Sequence, residues 1–165
     1  MNAHVPEQFR EFADAMINTA RMEIARDGEM SLFVVVGSME HRFVFPMLGV
    51  ELLPPTLARQ AITLFAKKYH ADFILIACTI QAKSAETLDE ARELSAKYER
   101  AADCLGAQQC VYVSLETYSG VYAAIKPIVE RDGTKTFDDL ELAPIGTATT
   151  PMVSLLPRRD SDTLQ

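Results

Sequence analysis

Phe73-Ile74-Leu75-Ile76-Ala77-Cys78-Thr79-Ile80 is the stretch on which the fold turns. Side chains of a strand point alternately to its two faces, so a strand with one wet face shows a polar residue at every second position. No such alternation interrupts Phe73 to Cys78, and a run this short falls far below the roughly 20 residues that cross a bilayer. The segment therefore reads as a strand covered on both faces, the centre of a sheet with helices packed on it.

Upstream, Pro54-Pro55 opens a helix whose inward stripe is Ala58, Ala61, Ile62, Phe65, Ala66 and Tyr69. Lys67, Lys68 and His70 fall in its last turn, where cations complement the helix dipole. Before it, Leu32–Val36 and Arg42–Phe45 are two β-rich runs around the polar stretch Gly37-Ser38-Met39-Glu40-His41, which predicts a hairpin ended by Pro46. Were the strands near 42 and 80 parallel neighbours, the helix between them would make a right-handed crossover. The chain begins with a helix: Phe9, Phe12, Ala13, Met16, Ile17, Ala20 and Ile24 line one face, Pro6 suits its start, and Gly28 its left-handed end.

Downstream, Thr87 and Glu90 have capping-box spacing, and Leu88, Ala91, Leu94, Tyr98, Ala101, Ala102 and Leu105 predict a third helix ended by Gly106. Val111, Val113 and Leu115 alternate with Tyr112, Ser114 and Glu116, the mark of a strand with one wet face. Tyr118-Ser119-Gly120 turns the chain into Val121–Val129, an edge strand by virtue of Pro127, and Asp132-Gly133 makes a further hairpin turn into a short strand near Lys135–Leu142. The expected fold is α/β (α+β) in class, a mixed sheet of about five to six strands with three helices, in the order α-β-β-α-β-α-β-β-β. Residues 1–143 form the single domain and residues 144–165 an irregular C-terminal arm or tail, in which Met152, Leu155 and Leu156 could dock on this domain or on a neighbouring subunit. The Ala71-Asp72 lead-in to the apolar strand, and the Val111–Val129 hairpin ending in Glu130-Arg131-Asp132-Gly133, resemble the layout of small bacterial or phage-type α/β proteins without an assigned activity. That resemblance implies no catalytic residue.

Composition narrows the functional classes. The chain has 165 residues, 48% hydrophobic and 24% charged, which suits one globular domain. Sixteen basic against 23 acidic residues give a net charge of −7. With Lys67-Lys68 and Arg158-Arg159 as the densest basic spots, nucleic acid is not an expected partner. Neither a membrane span nor a secretory signal is legible, and Cys78, Cys104 and Cys110 have no metal spacing. A cytoplasmic protein with reduced thiols and neither cofactor nor metal is expected.

Chemistry-bearing residues are sparse. Ser38, Glu40 and His41 share a predicted turn but lack the glycine-flanked serine of a nucleophile elbow, so an ordinary polar turn accounts for them. His4, His41 and His70 lie far apart, without the helical spacing of a metal pair. Gln81-Ala82-Lys83 leaves the central strand where a nuclease would carry an acid and a lysine, but its first residue is neutral. Tyr112, Tyr118 and Tyr122 cluster on or beside the later hairpin, as binding residues if exposed and as cross-strand packing if not. The leading expectation is thus a non-enzymatic binding or assembly protein, a homodimer using the outer hairpin or the C-terminal arm, or a binder of another protein. A small hydrolase, metal-dependent or not, is the alternative, with Glu40, His41, Asp72, Gln81 and Lys83 as its candidate catalytic residues. An acidic chaperone-like adaptor is the second.

Overall fold

The computed structural model describes residues 2–82, 107–145 and 155–157. Helix α1 (Glu7–Asp27) is followed by strands β1 (Phe33–Ser38) and β2 (Phe43–Pro46), a 3-10 turn (Val50–Leu52), helix α2 (Pro55–Lys68) and strand β3 (Phe73–Ala82). After the second described stretch begins come β4 (Gln108–Thr117), β5 (Gly120–Pro127), β6 (Val129–Arg131), β7 (Thr134–Thr136) and β8 (Ala143–Pro144). Six strands form one sheet in the order β2-β1-β3-β4-β5-β8, and β6 and β7 form a separate hairpin.

The α/β class expected from the pattern is present, but the sheet is not mixed. Every neighbouring pair in it is antiparallel. The cause lies in where β1 sits: it pairs with β2 on one side and β3 on the other, so β2 and β3 run parallel without touching. The connection through α2 therefore steps over one strand. The described residues hold two α-helices; the third expected helix, Thr87 to Gly106, lies outside them.

One helix covers each face, which is why β3 is apolar on both. Phe73, Leu75 and Ala77 join Val111, Val113 and Leu115 of β4 beneath the α1 stripe of Phe9, Ala13, Met16, Ile17, Ala20 and Ile24. Ile74 and Ile76, with Val34 and Val36 of β1, pack instead on Ala58, Ile62 and Ala66 of α2. At about 1.5–3 kcal/mol for each large apolar side chain removed from water, these two layers are the main source of stability. Helix α1 ends as its sequence predicts, with Gly28 left-handed (φ 83) and its N–H donating to the Ile24 carbonyl at 2.8 Å. The Asp132-Gly133 turn is also as predicted: both residues have positive φ (53 and 77), which matches the twist of a two-residue hairpin loop.

Strand β4 departs from its reading. Tyr112, Ser114 and Glu116 do not face water; all three are buried on the α2 side, Tyr112 with 1% of its surface accessible. Part of their cover is the short segment Leu155–Pro157. Leu155 is fully buried in that layer, and the Glu116 carboxylate accepts the N–H groups of Leu155 (2.9 Å) and Leu156 (3.2 Å). Tyr118 donates its hydroxyl to the Pro157 carbonyl at 2.7 Å. These three residues of the arm thus dock on their own chain. At the opposite terminus, the buried Asn2 side chain donates to Asp14 (2.5 Å) and accepts the N–H of Leu142 (2.8 Å), tying the first residues to the last turn before β8. None of the described helices is long and apolar enough to cross a membrane.

Candidate interaction surface

Among the described residues, Asp72 heads the one place where several of the expected site residues meet. Its carboxylate accepts from the backbone N–H groups of Met39 (2.9 and 3.0 Å) and Glu40 (3.3 Å), and from the Ser38 hydroxyl (3.3 Å). The Ser38 hydroxyl in turn accepts the His41 backbone N–H at 3.0 Å, and the Asp72 N–H donates to the Gly37 carbonyl at 2.9 Å. The arrangement ties the β1–β2 turn to the start of β3. It engages His41 through its backbone rather than through a ring nitrogen, so the serine is not lined up against a base. The His41 and His70 rings stand 6.0 Å apart at this corner, His70 being left-handed (φ 53) just past the end of α2.

Gln81 is not brought there. It lies nine residues further along β3, roughly 30 Å away at about 3.3 Å per extended residue. Lys83 lies outside the described residues. Among the described residues, no three His, Cys, Asp or Glu side chains group closely enough to hold a metal ion. Of the three tyrosines, Tyr112 is interior rather than on a wet face, Tyr118 is half-buried against Pro157, and Tyr122 packs on the α1 layer.

Cys78 lines a hollow of about 490 Å³ together with Met30, Leu32, Ile80 and Gln109. Burial pushes its thiol up to about 11 from 9.0, because the thiolate would lose its hydration there. A shift of this size cuts the reactive thiolate fraction at pH 8 about 100-fold. Iodoacetamide should therefore label Cys78 of the native protein about 100-fold more slowly than in denaturant, as mass spectrometry of the Cys78 peptide would report. The linkage has a definite sign. The unfolded chain loses this proton first, so Cys78 makes stability fall as pH rises from about 9 towards 11, and contributes nothing below that window.

Exposed apolar side chains gather elsewhere. Of the eleven large ones among the described residues, eight fall between positions 44 and 69: Val44, Phe45, Leu48, Leu52, Leu53, Leu57, Leu64 and Tyr69. Leu48, Leu52 and Leu64 are 87, 82 and 67% accessible, which is unusual enough in one stretch to mark a surface rather than scatter. The geometry is a flank of the molecule. Phe43 and Phe45 of β2 share one face, their rings 5.5 Å apart, and Phe45 meets Phe65 of α2 and Tyr69, just past its end, at 6.1 Å each. Leu57 and Leu64, two turns apart on α2, share one exposed side of that helix, since positions seven apart return to one side of a helix. At its far end the flank meets a cleft of about 540 Å³ between α1 and β1, lined by Met30, Phe33, Met47, Leu48, Glu23 and Glu51.

Strand β2 is also an end strand of the sheet, with no described strand beyond it. Such an edge invites pairing unless charge, a bulge or proline blunts it. Phe43-Val44-Phe45 carries no charge, and only Pro46 closes it. Compared with known proteins, the chain matches no family model, no curated protein and no solved structure.

Proposed function

We propose that this chain is a non-enzymatic binding or assembly protein whose working surface is the flank formed by β2 and α2. The observation that carries the reading is the coincidence of eight exposed apolar side chains with an uncharged sheet edge. Each feature alone is tolerable in a soluble protein; together they expose apolar area and backbone hydrogen-bonding capacity at one place, which is what β-strand addition uses. This places the surface away from the later hairpin and the arm: β8 pairs with β5 at Tyr122 and Ala123, and Leu155–Pro157 are already docked.

Leucine-methyl NMR tests the reading directly. Signals of Leu48, Leu52, Leu57 and Leu64 should shift or broaden either when the protein is concentrated from the low to the high micromolar range, or when extract of its native host is added. Those of the interior Leu75 and Leu115 should stay in place. If the flank signals are inert in both titrations, the surface is not where this protein works.

A further inference from the structure

We infer that the occupant of this flank is a second copy of the chain, joined by antiparallel pairing of β2 with its counterpart about a two-fold axis through Val44. The inference rests on the flank being the working surface and goes on to name the partner.

The backbone of β2 points to this arrangement. The Met47 N–H donates to the Val34 carbonyl at 2.8 Å, which makes 34 and 47 a hydrogen-bonded pair of the β1–β2 ladder. Hydrogen-bonded and non-hydrogen-bonded pairs alternate, so with the observed register Val36 and Phe45 are bonded and Gly37 and Val44 are not. The N–H and C=O of Val44 therefore point outward, and so does the nitrogen of Pro46, which costs the ladder nothing. A two-fold at Val44 lets each Val44 N–H donate to the other Val44 carbonyl. Phe43 then stands opposite the partner's Phe45, so the Phe-Val-Phe triplet is its own complement, as a two-fold interface requires. Pro46 has no N–H to extend the ladder, and Arg42 (φ 55) leaves extended backbone on the other side, so one register is selected.

The exposed area agrees with self-association. Taking about 150–200 Å² for a large side chain and weighting by exposures of 39–87%, the eight residues offer on the order of 800 Å², comparable with the area per partner of a standard stable interface.

Sedimentation equilibrium of the full chain should show a dimer. Val44→Pro removes both central donors while sparing the β1–β2 ladder, and should weaken the dimer at least 100-fold with the circular-dichroism melt retained. Val44→Cys should form a covalent dimer on mild oxidation, because paired Cα atoms about 5.5 Å apart lie within disulfide reach. Met22→Cys, exposed on α1, should not. A wild-type chain that stays monomeric at high micromolar concentration overturns the inference, as does a dimer that survives Val44→Pro and leaves Val44→Cys uncrosslinked. In the first case the flank leucines still decide the broader reading: a response to host extract alone would keep the surface and assign it to another protein.

Discussion

Gly37→Ala should cost this protein about 2–4 kcal/mol, lowering its melting temperature by roughly 5–15 °C. A β-carbon on Gly37 would enter the Phe73 ring, overlapping Cζ and Cε1, and would stand 2.9 Å from the Phe43 carbonyl oxygen. Neither neighbour can retreat. Phe73 is fully buried, is the register partner of Gly37 across the β1–β3 ladder, and lies 5.3 Å from the rings of both Phe9 and Phe12. The Phe43 carbonyl belongs to the β1–β2 ladder. Against this, alanine restricts the unfolded chain and gains at most about 1 kcal/mol, too little to reverse the sign. Thermal melts of Gly37→Ala, Phe73→Leu and the double variant would isolate the overlap. The double variant should be less destabilised than the sum of the singles, by about 1 kcal/mol or more. An alanine variant as stable as the parent would mean that β1 and β3 are not packed as described.

That glycine shows why a sequence reading goes only part of the way. Gly37 reads as turn punctuation after an apolar run, whereas it is a strand residue kept small by an aromatic side chain 36 positions away. Features set by neighbours in sequence were legible: the α1 stripe and its Gly28 end, the central place of β3, the Asp132-Gly133 turn. Features set by distant partners were not. The antiparallel sheet depends on β3 choosing the far side of β1, a choice on which periodicity is silent. The buried polar face of β4 was unreadable for the same reason, since Glu116 finds its backbone donors about 40 residues further along the chain.

The candidate surface left a trace that the helix stripe concealed. Ala58, Ile62 and Ala66 face the sheet, so Leu57 and Leu64 belong to another side of α2, and Leu52 and Leu53 precede it without a place in any stripe. Apolar residues in excess of what one buried face needs are the sequence signal of a second contact. Phe43-Val44-Phe45 adds to it, being apolar throughout in a strand that turns out to lie at an edge. The polar turn that precedes it carries the chemistry-bearing side chains, yet Ser38 and Asp72 serve there to hold backbone. Two features drawn from one stretch of about thirty residues thus have different roles: the turn fixes where β2 lies, and β2 presents the flank.

Glu116→Gln should release the docked segment of the arm without unfolding the domain. In the parent, both carboxylate oxygens accept, Oε2 from the Leu155 N–H and Oε1 from the Leu156 N–H. Glutamine keeps the shape but offers one acceptor, and its amide NH₂ would face the second N–H as donor against donor. Hydrogen bonds to a charged group contribute about 1.5–3 kcal/mol each, so losing one and neutralising the other should weaken docking by about 2–3 kcal/mol. Because the segment can open by itself, the loss should appear locally: amide exchange at Leu155 and Leu156 should accelerate about 30- to 150-fold, while that of β3 stays unchanged. Tyr118→Phe removes the neutral bond to Pro157, about 1 kcal/mol, and should accelerate the same amides about 5-fold. The two variants act on one segment, so their combination should saturate at the exchange rate of a free arm rather than multiply. Unaltered exchange in Glu116→Gln would show that burial of Leu155, and not the carboxylate, holds the segment; acceleration throughout β3 would show that the arm is integral to the core.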